Sequence, residues 1–210
     1  MTSTDLQALQ DFSEALKRAP VVAMDAAAVA LTEAASQARE QGVDLIRERY
    51  NLDKPYIQKY LVVNDKVKRT DLVARITANH RSVLAPRYGA DQNIVPTTSR
   101  GKKRGDPYRG IAPGMKDAGS TAWSVRRNGN KKAWANTFFV QLKTSGAWAM
   151  VARVGKWTPG MSKKKDWEQN LKVINSLSVA QAWKGVRDEV APEAMALAQR
   201  RFMEELERGL

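Results

Sequence analysis

The sequence predicts an α+β domain in which a small antiparallel sheet is packed by a long N-terminal Ala-rich helix, followed by C-terminal helices and interrupted by a long basic loop. Three observations carry that expectation. Residues 21–49 are apolar at helical spacing, residues 119–155 alternate at strand spacing between turn dipeptides, and the last thirty or so residues return to a helical pattern. At 210 residues and 43% hydrophobic, the chain can bury one sizeable core. The expected division is an N-terminal helix at 1–19, a core at 20–177 with the basic loop at 81–118, and a helical extension at 178–210.

In order, residues 5–18 place Leu6, Leu9, Phe12, Ala15 and Leu16 on one helical face, with Thr4 as its N-cap. Residues 21–49 form an apolar stripe of Met24, Ala27, Ala28, Leu31, Ala34, Ala35, Ala38, Leu45 and Ile46, with Glu33, Arg39, Glu40 and Glu48 outside it. Gly42 is a place for that helix to bend. A short helix is expected at 55–61, with Pro55 in its first turn. Leu72, Ala74, Ile76 and Ala78 then alternate with Val73, Arg75, Thr77 and Asn79, which predicts a strand.

Residues 81–118 read as irregular, with Pro86, Pro96, Pro107 and Pro113, and such a length is that of a functional loop or a disordered one, or of a loop that orders on assembly, rather than of a passive connection. Beyond it, Thr121, Trp123 and Val125 alternate up to Asn128-Gly129, a dipeptide suited to positive φ in a hairpin turn. A second apolar run (Phe138, Phe139, Val140, Leu142) turns at Ser145-Gly146 into a strand where Trp148, Met150, Ala152 and Val154 share a face. Ser178 is placed to cap a helix at 179–190, and Pro192 to open a last helix through Leu197, Phe202 and Leu206.

Charge is distributed unevenly. Of the net +13, residues 51–165 carry 24 bases against six acids, while both ends are mildly acidic. A localised positive surface suits phosphate backbones or an acidic protein partner. Its candidate contact residues are Arg100, Lys102, Lys103, Arg104, Arg109, Arg126, Arg127, Lys131 and Lys132, with Tyr108 among them. Trp123, Trp134, Phe138, Phe139 and Trp148 are expected to supply core or subunit contact. There is no Cys, which points to an intracellular protein without disulfides or thiolate metal sites. Acidic residues near the N-terminus and the lack of an 18-residue apolar run predict a protein made and kept in soluble form, without membrane contact.

Chemistry is thinly signalled. His80 is the one histidine, and the six acids of the basic middle stand too far apart for a spaced metal signature. Gly101, Gly105 and Gly110 lack the Gly-Lys-Ser/Thr ending of a phosphate loop. The expectation is therefore no catalytic site, no cofactor and no metal.

The order of features resembles the minor tail protein Z family of long-tailed bacteriophages, the tail completion proteins of lambda-like and transposable phages. The resembling residues are the Ala-rich helix leading to LIRER (residues 45–49), VKRTDLVARITA (67–78), AWANTFFVQLKTSGAWAMVARVG (133–155) and VINSLSVAQAWKG (173–185). The family carries Gly-Pro before that Ser-Val, where this chain has Asn175, Ser176 and Leu177, and residues 87–119 have no counterpart in it. The resemblance implies a structural virion protein of the tail or neck, assembled in the host cytoplasm as a homo-oligomeric ring, expected to be a hexamer. By the same resemblance its partners are tail terminator, head connector or stopper proteins, with double-stranded DNA in the channel, and its task is tail completion and head-tail joining. The residues alone leave a second reading open: a basic nucleic-acid-binding module without catalysis.

Overall fold

Alanine decides the first element. α1 (Pro20–Arg49) buries Ala23, Ala26, Ala27, Ala30, Ala34 and Ala38, and side chains that small let a neighbouring element approach closely. The computed structural model describes residues 20–64, 66–97, 105–154 and 171–209. The predicted helix at 5–18 and the residues Arg100, Lys102, Lys103 and Arg104 lie outside these. The fold is α+β, and the chain divides into two compact units: residues up to Ile46 with Lys54–His80 and those from Val179 onward, and Arg47–Asp53 with Arg81–Ser178.

In the first unit, α4 (Arg187–Gly209) lays Phe202 and Leu206 on Ala23, Ala26, Ala27 and Ala30 of α1, with Val22, Leu72 and Met203 around them. Burying side chains of that size stabilises by roughly 1.5–3 kcal/mol each. Arg201 of α4 reaches Glu33 of α1 at 2.9 Å and Glu204 at 2.7 Å. The hydrogen bond that Arg201 donates to Glu204, and then the charge of Glu33, raise the Arg201 pKa above its usual value. A raised cation contributes fully below its ordinary pKa and is lost only above it, so this contact is indifferent to pH near neutrality. Between these helices come α2 (Lys54–Tyr60) and a ribbon of β1 (Leu61–Val63) and β2 (Ile76–Ala78), paired antiparallel with Leu61 opposite Ala78. Arg39 of α1 ties down this ribbon by donating to the carbonyls of Leu61 (2.8 Å) and Gln58 (2.9 Å), so it is a bridging residue rather than an outward charge.

The predicted strand at 72–78 is laddered only over Ile76–Ala78, because its partner β1 is three residues long. The alternation itself survives: Leu72, Ala74, Ile76 and Ala78 are half-buried, and Val73, Arg75 and Thr77 are exposed. Gly42 lies within the unbroken run of α1 and is where the Trp183 indole of α3 (Val179–Lys184) rests on it, so that a Cβ there would overlap the ring. Pro192 lies inside α4 rather than at its start. The helical break comes earlier, at a tight turn in which Gly185 and Val186 donate to the carbonyls of Ala182 and Trp183.

The second unit consists of small antiparallel sheets. Its strands are β3 (Ser82–Leu84), β4 (Asp91–Pro96), β5 (Met115–Trp123), β6 (Lys132–Ala135), β7 (Thr137–Gln141), β8 (Trp148–Arg153), β9 (Leu171–Val173) and β10 (Asn175–Ser178). They form the sheets β4-β5-β6 and β7-β8-β9, and the pair β10-β3. Asn136 alone joins β6 to β7, in the left-handed conformation (φ 58°) that Asn tolerates better than most residues. The two larger sheets are stitched by hydroxyls. Thr137 donates to the carbonyl of Trp134 (2.6 Å), accepts the backbone N–H of Thr121 (3.1 Å), and lies 2.6 Å from the Thr121 hydroxyl, with both threonines fully buried. Tyr88, also fully buried, donates to Leu177 at 2.7 Å and so anchors the β3–β10 pair.

Two expectations are corrected here. Residues 81–118 are not one irregular loop: they contain β3, β4 and the start of β5. A register shift between Gln92 and Ile94 spoils the alternation that would have marked β4, and β4 is an edge strand, which is where Pro96 is tolerated. The Asn128-Gly129 turn is not a two-residue hairpin with positive φ. Residues 124–131 connect β5 to β6, and neither Asn128 nor Gly129 has positive φ. Instead Gly129 donates to Arg126 (3.1 Å) and lies so close to the Ser124 hydroxyl that a Cβ would overlap it. The Ser145-Gly146 turn does form as expected, with Gly146 at φ 65° and Leu142 donating to Ala147 at 2.9 Å.

Candidate interaction surface

The aromatic residues singled out in the sequence divide by exposure. Trp123 and Phe138 are 7% exposed, whereas Trp134 is 45% and Trp148 36% exposed. Tyr88, Trp123 and Trp134 form a ladder from the core outward, with ring centroids 6.4 Å and 5.9 Å apart. Trp134 is therefore held rigidly from behind while its outer face meets solvent. It lies on β6, an edge strand, as Ile94 lies on β4 and Val173 on β9, both also exposed. Phe139 is half-buried, and its backbone N–H donates to the Gln92 side chain at 3.2 Å.

Of the basic residues, Arg126 and Arg127 share a place with two that sequence reasoning left out. Residues 49–51 run alongside the β5–β6 turn: Arg127 donates from its backbone to Arg49 (3.0 Å), Asn51 donates to Val125 (3.0 Å), and Tyr50 bridges to Arg126. The Arg127 guanidinium donates to the Arg47 carbonyl at 3.0 Å, satisfying one of the orphan carbonyls at the end of α1. Four arginines, at 47, 49, 126 and 127, are thus gathered by backbone pairing across a sequence gap that no local pattern could reveal. Lys131 forms an ion pair with Asp91, and Lys132 lies on β6 opposite Trp123.

Arg109 is elsewhere. It ends a 3-10 turn (Pro107–Arg109) closed by Gly110 at φ 65°, a conformation that excludes most side chains and that also leaves room for the Trp148 ring. Its guanidinium lies 4.6 Å over the Phe138 ring and that of Arg153 5.1 Å from the same ring. Arg109 forms an ion pair with Asp117, whose side chain is 6% exposed and whose other oxygen accepts the Gly119 N–H at 2.7 Å. These groups line a cavity of about 350 Å³ together with Lys116 and Asp106, with Ile111, Met115 and Phe138 as apolar wall. Arg109 Nε is buried there without an acceptor.

No family model, curated protein or solved structure matches this chain. The chemistry must therefore be taken from the side chains. Among the described residues no cluster of His, Asp and Glu could hold a metal ion, and no helix is long and apolar enough to cross a membrane. His80 is exposed at the end of the β2 segment. What the arrangement can do is offer apolar edges, a gathered set of arginines, and a cation-lined cavity.

Proposed function

We propose that this chain is a structural protein of a long-tailed phage virion, a tail completion protein that assembles as a ring at the head-proximal end of the tail. The observation that supports this best is the state of the sheet edges. The edge of a sheet offers unpaired N–H and C=O groups to another chain, and soluble monomers normally guard it with charge, Pro or cover. Here the guard is partial: Asp91 and Pro96 on β4, Lys132 on β6 and Lys172 on β9 flank Ile94, Trp134 and Val173, which stand exposed and are suited to pairing with another polypeptide. The resemblance of residues 133–155 to the tail completion family names that assembly. Head-tail joining, passage of DNA, and contact with terminator, connector or stopper proteins follow from the same reading.

Sedimentation velocity and negative-stain imaging of the purified protein test it: rings are expected, and Trp134→Glu is expected to give a folded monomer. A wild-type chain that stays monomeric at every concentration, and is missing from finished particles, would sink the proposal. The gathered arginines at 47, 49, 126 and 127 favour a second reading, a non-catalytic module for duplex DNA, in which a monomer binds through phosphate contacts.

A further inference from the structure

We infer that the apolar groove of the first unit, bounded by α1, residues 74–76, the Trp183 indole and α4, is the docking site for residues 5–18 of the same chain. The first support is the groove itself. It has a volume of about 420 Å³. Leu31, Ile76 and Trp183 in its lining are half-buried and Met195 is 73% exposed, so apolar surface is open there to an occupant. Its two charged lining residues, Arg187 and Asp188, pair with each other at 3.0 Å and call for no other partner. Apolar surface of this kind is costly while it faces water and selects an apolar occupant.

The second support is the segment that precedes α1. Residues 1–19 lie outside the described residues, and the sequence of 5–18 sets Leu6, Leu9, Phe12 and Leu16 on one side of a helix. Gln7, Asp11, Glu14 and Arg18 fall on the other side. A lone helix of that length is marginal in water, and burial of its apolar side is what stabilises it. Amphipathic helices enter apolar grooves through anchors three or four residues apart, which is the spacing of Leu6, Leu9, Phe12 and Leu16.

The third support is reach. Pro20 opens α1, and the residue before a proline is disfavoured in helical geometry, so residues 5–18 do not extend α1 as one rod. Folded back along α1, Leu9 stands eleven residues before Pro20 as Leu31 stands eleven after it, and Leu6 matches Ala34 at fourteen. At about 1.5 Å per residue these pairs are level, roughly 16 and 21 Å from Pro20, and Leu31 and Ala34 both line the groove. The covalent tether gives the chain's own segment a high effective concentration at the groove, which favours it over the same segment of another copy. The site lies wholly in the first unit and owes nothing to the sheet edges on which the assembly reading rests.

The chain has no Cys, so an introduced pair supplies its only thiols. In the full chain, Leu6→Cys with Met195→Cys, oxidised at low protein concentration, is expected to close a disulfide within one chain, seen as a faster-running, reducible monomer. Leu6→Cys with Ser36→Cys, an exposed position of α1 that does not line the groove, is expected to stay open. Equal closure of the two pairs would overturn the docking. Closure of the first pair only between chains, rising with concentration, would give the groove to a second copy and overturn the choice of occupant. Peroxide oxidation of Met195, followed by peptide mass mapping, decides the matter where neither pair closes. It is expected to be several-fold slower in the wild-type chain than in Leu6→Asp with Leu9→Asp, and equal rates would overturn the docking.

Discussion

At the scale of single residues, opposing effects of similar size decide what a substitution does. Gly42 lies inside α1, where intrinsic helix propensity favours Ala by roughly 1 kcal/mol. Against that, a Cβ would intrude on the Trp183 ring, and overpacking of a close contact costs about 1–3 kcal/mol. Gly42→Ala is therefore expected to destabilise, by about 1 kcal/mol net, and Gly42→Ala with Trp183→Leu to be less than additive because the smaller side chain vacates the overlap. Urea midpoints of the two single variants and the double check this; a stabilised Gly42→Ala would mean that the indole does not rest on the helix. The sequence shows a glycine in a helix but not its neighbour, which lies far along the chain in α3. Arg39 is alike: a charge beside an apolar stripe reads as solvated, and only the presence of α2 and β1 reveals the carbonyls it holds.

Elements were legible where a local period governs them and lost where pairing does. α1, α2, the strands around Ser145-Gly146 and the run through Leu197, Phe202 and Leu206 follow from spacing, because burial of one face enforces it. β4 was missed because a register shift breaks its period, and the turn at residues 124–131 was misread because residues 49–51 complete it from elsewhere in the chain. The candidate surface divides the same way. Arg126, Arg127, Lys131 and Lys132 are grouped by nearness in the sequence, whereas the company of Arg47 and Arg49 depends on the end of a distant helix. Pro192 shows how a strong rule is overridden. It belongs by preference in a first turn, yet here it lies within α4 and deprives the Asp188 carbonyl of its donor. Residue 192 is exposed, so nothing in the packing requires the ring, and the helix is held by Val190, Leu197, Phe202 and Leu206. Pro192→Ala is expected to stabilise the protein by about 1–3 kcal/mol, seen as a raised urea midpoint without a change in slope. An unchanged or lowered midpoint would mean that the proline limits the unfolded chain more than it strains the helix.

For the whole molecule, the balance of a net +13 charge against apolar sheet edges makes ionic strength the informative variable. Identical positive chains repel, and at low ionic strength, with a Debye length near 30 Å at 0.01 M, that repulsion opposes the approach of one copy to another. Raising salt to about 0.15 M contracts the screening length to about 8 Å and removes most of it, while contacts through Ile94, Trp134 and Val173 are hardly weakened. Self-association is therefore expected to strengthen as salt rises over this range. Duplex binding has the opposite sign, since neutralising each phosphate releases counterions and the affinity falls with a logarithmic slope of roughly −0.9 per contact. Engagement of all four arginines at 47, 49, 126 and 127 would give a slope near −4 on the same scale. Sedimentation velocity and DNA titration on one preparation, at matched salt concentrations, separate the two readings: a ring whose dissociation constant drops as salt increases supports assembly through the sheet edges. A particle that forms only at low salt and disperses by 0.15 M would show that charge, and not the exposed apolar strands, holds the copies together.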